Sequence, residues 1–343
     1  YNKSRNKGGF LMYIPNPNRY QKMQYQRCGD SGLLLPKISF GLWHNFGNNC
    51  NYDNMKELIF TCFDHGITYF DLANNYGPEY GAAETNFGKI LKEELMPYRD
   101  QLIISTKAGF DMWEGPYGNY GSRKYLMASI DQSLKRLQLD YVDIFYHHRM
   151  DPNTPLMETM TALADIVKMG KALYIGLSNY DGETLKKATE ILTSLHVPFI
   201  VNQNCYNLFN REVEQNGLLK NTIALKKGLV VYSPLEQGLL SNRYINGIPT
   251  DSRIGSDGRY LNASNLTPLI LKKIQKLNAL AQSRNEKLAT MALRWLLQKE
   301  GVTSVIVGAS KKEQILEDLE ALQPQPFSKD ELDEIEKIVL SIE

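Results

Sequence analysis

Titratable side chains stand at the ends of three apolar stretches of this sequence. Asp71 closes the first stretch and Tyr76 follows it in a loop rich in Asn and Gly, Lys107 stands near the end of the second, and His147 and His148 end the third. Apolar runs of this length and composition predict buried strands. Parallel α/β folds place their active sites at the C-terminal ends of such strands. We therefore predict that these groups form one site.

These residue types suit one chemical step, the protonation of a carbonyl oxygen as a hydride reaches its carbon. Asp71 is expected to keep a buried Lys107 protonated, and the ammonium to lower the pKa of Tyr76 below its usual value of about 10. A histidine can donate a hydrogen bond to the same oxygen. The alternative is a structural ion pair between Asp71 and Lys107 beside an ordinary loop tyrosine. The matching placement of these groups on three strands favours a site.

The composition excludes several classes of protein. The 343 residues carry 39 basic and 38 acidic side chains, a net charge of +1 that gives no reason to expect binding to nucleic acid or an anionic membrane. The four cysteines are scattered, so we expect free thiols in a reducing cytoplasm and no metal site. No apolar run is long enough to span a bilayer.

Strand and helix patterns alternate along the chain. Residues 23–41 predict a β-hairpin followed by a first strand. Further strands are predicted over residues 67–71, 102–109, 141–148, 172–179, 198–207, 228–238 and 302–310. Helices are predicted over residues 52–65, 83–95, 122–137, 154–169, 182–195 and 212–227, with a terminal helix after Pro326. The predicted fold class is α/β, a closed (β/α)8 TIM barrel in one domain.

A doubly wound dinucleotide-binding fold is the competing architecture. It requires a glycine fingerprint after the first strand and an acidic residue about twenty positions later. Neither is present, and the glycine cluster at residues 115–121 follows the third strand and contains Pro116. We interpret that cluster as a flexible loop on the substrate side.

In order and strand position, Asp71, Tyr76, Lys107 and His148 resemble the catalytic tetrad of the aldo-keto reductases, (β/α)8 barrels that use NADPH. The resemblance covers residues 23–338 and implies that the N-terminal hairpin closes the bottom of the barrel. His148 occupies the family position, whereas His147 should point to the other side of its strand. We predict a barrel domain over residues 23–343 and an N-terminal extension over residues 1–22. Residues 1–11 are interpreted as a possible remnant of expression, because the chain begins with Tyr rather than Met.

Longer motifs, among them FDLANNYGPEYGAAETNFG, GLLSNRYINGIP and GASKKEQ, resemble one bacterial branch of that family. It comprises the L-glyceraldehyde 3-phosphate and methylglyoxal reductases and is related to the β-subunits of voltage-gated potassium channels. The resemblance implies an NADPH-dependent reductase of small, often phosphorylated or dicarbonyl aldehydes that forms homo-oligomers, tetramers or octamers. Arg123 or Arg149 could pair with a substrate phosphate, and either could equally be the partner of a surface salt bridge. Those β-subunits have Asn at the position of His148, so the histidine favours an active enzyme.

Two other functions are weighed. The first is a binding protein of the channel β-subunit type, which holds NADP and regulates a partner. The second is a lyase or aldolase with Lys107 as a Schiff-base nucleophile, which is disfavoured because Asp71 should keep that lysine protonated.

The resemblance also implies where cofactor and substrate bind. Ser178, Asn179 and Gln203 match residues that hold the nicotinamide carboxamide, and Tyr232 matches the aromatic ring that stacks on the nicotinamide. The cofactor set further includes Asp71, Trp43, Ser233, Pro234, Leu235, Gln237, Gly238, Arg243 and Arg253. Trp43, Tyr76 and His148 are expected to line the substrate pocket.

A helix is predicted to begin just after the eighth strand, and helix N-termini attract phosphate. Ser310 and Lys311 add a hydroxyl and a cation there, which favours NADP(H) over NAD(H). By resemblance, Gly308, Gln314 and Glu317 complete the adenosine side of the cofactor site. A surface helix capped by a Ser310–Glu313 capping box is an alternative that is compatible with phosphate binding.

Overall fold

Two antiparallel hairpins precede the barrel in the computed structural model, which describes residues 2–5, 11–245, 247–250 and 261–342. The strands are β1 (Asn2–Arg5) with β2 (Leu11–Ile14), and β3 (Tyr25–Arg27) with β4 (Leu34–Pro36). In the turn of the second hairpin, Cys28 Sγ lies 3.5 Å from the Ile200 carbonyl oxygen, and the Asp30 amide donates to the Lys226 carbonyl at 3.0 Å.

Eight parallel strands form a closed barrel, as the sequence predicts. They are β5 (Ile38–Gly41), β6 (Tyr69–Asp71), β7 (Ile103–Ala108), β8 (Val142–His147), β9 (Ala172–Ser178), β10 (Phe199–Cys205), β11 (Gly228–Tyr232) and β12 (Val302–Val307). Ile200 and Lys226 stand at the N-terminal ends of β10 and β11. The second hairpin therefore covers the bottom of the barrel, as expected.

The barrel is packed inside and outside. Inward-facing side chains, among them Tyr69, Tyr146 and Val230, form a buried cluster with Cys28 and Leu35 of the second hairpin. A larger apolar core lies between the strands and the helices. The hairpin thus plugs the barrel from below and leaves its upper end, where the strands end, for the polar residues.

Helices surround the barrel. They are α1 (Tyr52–Asp64), α2 (Ala82–Ile90), α3 (Arg123–Leu137), α4 (Leu156–Lys168), α5 (Gly182–Ser194), α6 (Glu212–Gln215), α7 (Leu218–Ala224), α8 (Pro268–Ser283), α9 (Leu288–Leu297), α10 (Lys312–Leu319) and α11 (Lys329–Leu340). The Ser122 hydroxyl accepts the Tyr125 amide at 3.3 Å and so caps α3. None of the helices in the described residues is long and apolar enough to cross a membrane.

The structure corrects three predicted elements. The helix predicted over 212–227 is two helices, because Gly217 adopts φ +79° between α6 and α7. The helix predicted over 83–95 is α-helical only to Ile90 and continues as a π-turn, Leu91–Leu95. The seventh strand ends at Tyr232 rather than at residue 238, because Ser233 has φ +52°.

Part of the predicted N-terminal extension packs on the barrel. The buried ring of Tyr13 stacks on Phe60 of α1 at 4.0 Å between ring centroids. Its hydroxyl donates to Asp64 Oδ1 at 2.7 Å, and the carboxylate also accepts the Asn16 amide at 2.7 Å. Tyr13 therefore contributes to the core around α1, and Asn16 fixes the chain to the same helix.

Candidate active site

A buried ion pair lies at the upper end of the barrel. Asp71 is the last residue of β6 and Lys107 lies in the neighbouring strand β7, and their side chains are 3% and 0% exposed. Lys107 Nζ donates to Asp71 Oδ2 at 2.5 Å, to the Leu72 carbonyl at 2.6 Å and to the Tyr76 hydroxyl oxygen at 3.4 Å. Three acceptors match the three hydrogens of an ammonium group.

The carboxylate of Asp71 is held by neighbouring strands. Its Oδ1 accepts from the Ser105 hydroxyl at 2.7 Å and from Gln203 Nε2 at 2.9 Å. Ser105 precedes Lys107 by two residues, so both side chains point to the same side of β7. Ser105 was not among the residues predicted from the sequence, although its spacing from Lys107 is a signal that identifies it.

Tyr76 lies between the lysine and the histidine. Its side chain is partly exposed, and its ring centroid is 6.0 Å from that of His148 in an edge-to-face arrangement and 6.3 Å from that of Trp43. Because Lys107 donates to the phenolic oxygen, the hydroxyl hydrogen of Tyr76 points away from the lysine. This orientation leaves the phenol as a proton donor to a molecule in front of it.

The two histidines point in different directions, as the alternation of side chains along a strand predicts. His147 Nδ1 lies 2.6 Å from the Tyr180 hydroxyl, and its ring is fully buried. His148 packs against Tyr76 and against Phe110, whose ring centroid is 4.6 Å away. The structure therefore places His148, and not His147, beside the tyrosine. The sequence analysis did not identify Phe110.

Burial dominates the pKa values at the site. The pKa of Tyr76 is raised well above its usual value, first by burial and then by the charge of Asp71. This direction is opposite to the expected effect of the lysine, because burial and the carboxylate together outweigh the ammonium. Burial lowers the pKa of Lys107, and Asp71 opposes that shift. Burial, and then the charge of Lys107, lower the pKa of His148 well below its usual range, so its imidazole is neutral near pH 7.

Four of the predicted cofactor residues lie close together beside this centre. Asn179 follows β9 with φ +57°, and its Nδ2 donates to the Ser178 hydroxyl at 3.2 Å and to the His148 carbonyl at 2.9 Å. The Tyr232 hydroxyl donates to Asn179 Oδ1 at 2.7 Å. Gln203 reaches Asp71, as described. The strand ends therefore bring these four side chains to the Asp71–Lys107 pair and to His148.

The predicted pyrophosphate segment is a loop after β11. Its backbone turns sharply, with positive φ at Ser233 (52°), Gln237 (55°) and Gly238 (101°), and Pro234 and Leu235 lie between them. Arg243 lies in the next 3-10 turn, Asn242–Tyr244. Arg253 lies outside the described residues.

The start of α10 differs from the predicted capping box. Gln314 Oε1, rather than a Ser310–Glu313 pair, accepts the amides of Ser310 and Lys311 at 2.8 and 3.1 Å. Glu317 accepts Lys287 Nζ at 2.6 Å. Gly308 precedes the helix, and the nearest atom of the described residues to a Cβ placed there is the Gly41 carbonyl oxygen at 3.9 Å. The N-terminus of α10 is therefore capped by the side chain of Gln314, a residue of the same helix, and the backbone at Gly308 remains accessible to a ligand.

An open cavity of about 320 Å³ lies next to Tyr76. Its wall includes Trp43, which was predicted to line the substrate pocket, whereas Tyr76 and His148 are not among the residues that line this cavity. Asn75 was not predicted from the sequence, and its buried Oδ1 has no hydrogen-bond partner in the part of the chain that the structure describes. Within the described residues no group of three His, Cys, Asp or Glu side chains could hold a metal ion.

A closed parallel barrel with a lysine, a tyrosine and a neutral histidine at the ends of its strands defines a class of barrel oxidoreductases, and the chain belongs to the Aldo/keto reductase family. The model of that family matches residues 37–340. The chain is 52% identical over 330 residues, 95% of both chains, to an L-glyceraldehyde 3-phosphate reductase of Escherichia coli O157:H7, and 51% identical over 330 residues to that of strain K12. It is 36% identical over 324 residues, 93% of this chain and 97% of the other, to a probable voltage-gated potassium channel subunit beta of Oryza sativa subsp. japonica. The protein is an oxidoreductase.

Proposed function

We propose that the protein reduces small aldehydes to alcohols with NADPH, and that L-glyceraldehyde 3-phosphate and methylglyoxal are among its substrates. The observation that carries the proposal is the hydrogen bond from Lys107 to the oxygen of Tyr76, which leaves the phenolic hydrogen directed away from the lysine. The similarity to reductases named for L-glyceraldehyde 3-phosphate supports the substrate class.

The residues present fit a nicotinamide dinucleotide. Polar side chains of Ser178, Asn179 and Gln203 suit a carboxamide, and Tyr232 offers an aromatic ring beside them. The open space in front of Gly308 permits close approach of a ligand to the backbone. When bound, NADPH supplies the hydride for the carbonyl carbon. We assign its phosphates to the 233–238 loop, Arg243, Arg253 and the start of α10.

Each side chain of the tetrad then has one task. Tyr76, kept protonated by its raised pKa, donates its proton to the carbonyl oxygen. Lys107 stabilises the resulting phenolate, and Asp71 holds the lysine in place. His148, as a neutral imidazole, donates a hydrogen bond to the same oxygen and orients the substrate. Trp43, whose ring centroid is 6.3 Å from that of Tyr76, is assigned to the wall of the substrate pocket.

Replacement of the proton donor tests this assignment. Tyr76→Phe removes one hydroxyl, so kcat for either aldehyde should fall by about 10²- to 10⁴-fold, the usual contribution of general acid catalysis. The Kd for NADPH should stay unchanged. The measurement is the loss of reduced-nicotinamide absorbance with methylglyoxal and with glyceraldehyde 3-phosphate. Tyr20→Phe, at a 39% exposed residue before the barrel, is the matched control, and an unchanged kcat in Tyr76→Phe would refute the role of Tyr76.

The same experiment addresses the second candidate function, an NADP-binding regulatory subunit of the channel β-subunit type. The 36% identity to a probable potassium channel subunit beta supports that candidate. Tight NADPH binding without turnover by the wild-type protein would favour it over the reductase. Rapid multiple turnover would exclude it as the principal function.

A further inference from the structure

Arg149 follows His148 directly, and its guanidinium is fixed between two aromatic rings. The guanidinium carbon lies 4.3 Å from the ring centroid of Phe110 and 4.2 Å from that of Tyr120. Nε donates to the Gly109 carbonyl at 2.8 Å, and Nη2 donates to Asn119 Oδ1 at 2.7 Å. Stacking and these two bonds hold the cation in one orientation before any ligand arrives.

The guanidinium group of Arg149 has N–H donors left that can bind a ligand. The bonds to Gly109 and Asn119 use Nε and one hydrogen of Nη2, so among the described residues both hydrogens of Nη1 and the second hydrogen of Nη2 remain. Arg149 is only partly buried. Among the described residues, no carboxylate oxygen lies within 4.0 Å of its guanidinium nitrogens, the distance that defines an ion pair. The remaining edge of the guanidinium has the geometry that binds a phosphate or carboxylate through two parallel hydrogen bonds.

Arg123, the other candidate from the sequence, is different. Its Nη1 lies 2.6 Å from Asp165 Oδ2, and its amide donates to the Glu158 carboxylate at 3.0 Å. Its side chain is 47% exposed. The charge of Arg123 is thus already compensated on the surface, so the structure separates two arginines that the sequence left equivalent.

Arg149 also lies near the reacting groups. Phe110 contacts both the guanidinium and the ring of His148, with ring centroids 4.6 Å apart. The positive charge of Arg149 contributes to the lowered pKa of His148, after burial, Lys107 and His147. The positive charge of Arg149 therefore also acts on a short anionic aldehyde that is bound at Tyr76 and His148.

On the basis of the proposed reductase function, we propose that Arg149 is the specificity-determining residue that binds the anionic group of a short-chain aldehyde. The phosphate of a three-carbon aldehyde accepts hydrogen bonds from the free edge of the guanidinium while its carbonyl oxygen meets Tyr76 and His148. The fixed orientation of the side chain lowers the entropy cost of binding. Neutral aldehydes use the same pocket without this contact.

A purely structural role for Arg149 predicts a different result. Arg149 joins residues 109, 110, 119 and 120 of the loop after β7, so its loss could disturb the pocket for every substrate. A structural defect lowers kcat/KM for charged and neutral aldehydes in parallel. Loss of an anion contact lowers it for the charged aldehyde alone.

The test compares glyceraldehyde 3-phosphate with glyceraldehyde in the wild type, Arg149→Gln, Arg149→Lys and the surface control Arg123→Gln. In Arg149→Gln we expect kcat/KM for the phosphorylated aldehyde to fall by about 10- to 100-fold, the range for a charged hydrogen bond. Turnover of glyceraldehyde should be retained. Arg149→Lys should recover part of the loss because it restores the charge, and Arg123→Gln should match the wild type.

A binding measurement separates this proposal from the proposed function. Glycerol 3-phosphate, which has the anionic group but no carbonyl, should bind the wild-type protein with NADPH present, and Arg149→Gln should raise its Kd by a similar factor. Parallel losses for both aldehydes, or an unchanged Kd for glycerol 3-phosphate in Arg149→Gln, would overturn the role of Arg149. Absence of turnover in the wild type with either aldehyde would instead refute the reductase, and the binding comparison would still decide on Arg149.

Discussion

At the scale of single residues, the site depends on which hydrogen bonds are already made within the protein. Asp71 accepts hydrogen bonds from Lys107, Ser105 and Gln203, so its carboxylate holds the lysine in place. Lys107 in turn determines the direction of the Tyr76 hydroxyl hydrogen. Removal of Asp71 would leave the buried ammonium of Lys107 without its charged partner.

Lys311 offers a residue-level test of the cofactor preference. Lys311→Glu replaces an exposed cation with an anion at the start of α10, where we place the 2′-phosphate. The Kd for NADPH should rise about 10-fold or more, the value of a charged hydrogen bond, whereas the Kd for NADH should change much less. Fluorescence titration of both cofactors measures the two constants. Lys329→Glu on α11 is the control for the charge change, and equal effects on the two cofactors would place the 2′-phosphate elsewhere.

At the scale of elements, α10 has an N-terminus that is capped by Gln314 and carries a buried carboxyl group, that of Asp318. Asp318 is 6% exposed, and its pKa is raised well above the usual 3.8, first by burial and then by the charge of Glu317. The folded protein therefore retains a proton that the unfolded chain loses above about pH 4. Because the folded state binds more protons, its stability falls as the pH rises from that value.

Asp318→Asn tests this account of α10. Asparagine keeps the shape and carries no ionisable proton, so the variant should be more stable than the wild type at pH 7 by about 1 kcal/mol or more. The difference should disappear below about pH 4, where Asp318 is protonated in both states. Urea unfolding at several pH values measures it. Asp100→Asn, at an exposed aspartate, is the surface control, and a gain in Asp318→Asn that is the same at every pH would contradict the raised pKa of Asp318.

At the scale of the whole molecule, a buried charge network joins the last helices. Glu286, between α8 and α9, has a side chain that is 5% exposed and contacts Arg284 Nε at 2.5 Å and Arg294 Nε at 2.9 Å. Arg284 also contacts Glu331 of α11 at 2.6 Å. The network therefore ties three helices to one another near the end of the chain, and it contacts none of the residues of the tetrad.

Removal of the central carboxylate should affect stability and not the chemistry. Glu286→Gln leaves two buried guanidinium groups with less compensation, so the free energy of unfolding should fall by about 3 kcal/mol or more. The kcat of the folded variant should match the wild type. Glu183→Gln, which affects a 72% exposed partner of Lys187, should change stability by less than about 0.5 kcal/mol. Urea unfolding measures the free energy of unfolding of both variants. Equal decreases in Glu286→Gln and Glu183→Gln would show that the buried network stabilises the protein no more than a surface ion pair does.

Local patterns in the sequence determined the architecture and the position of the tetrad. Apolar runs of strand length, separated by helical periodicity, predicted the eight strands of the barrel, and the alternation of side chains along a strand placed His148 and His147 on opposite sides. These signals depend on neighbours a few residues apart, which is why they can be read from the chain. The same signals failed where a single backbone conformation decided, as at Gly217 and Ser233.

Only the tertiary structure decided which groups are paired and which are free. Gln203 meets Asp71 across 132 positions of sequence, Gln314 takes the capping role expected of Ser310, and the pKa of Tyr76 rises where its neighbour alone predicted a fall. Arg123 and Arg149 were equivalent in the sequence until Asp165 was seen to pair with one of them. Burial and charge compensation are sums over residues that are distant along the chain, so no local pattern contains them.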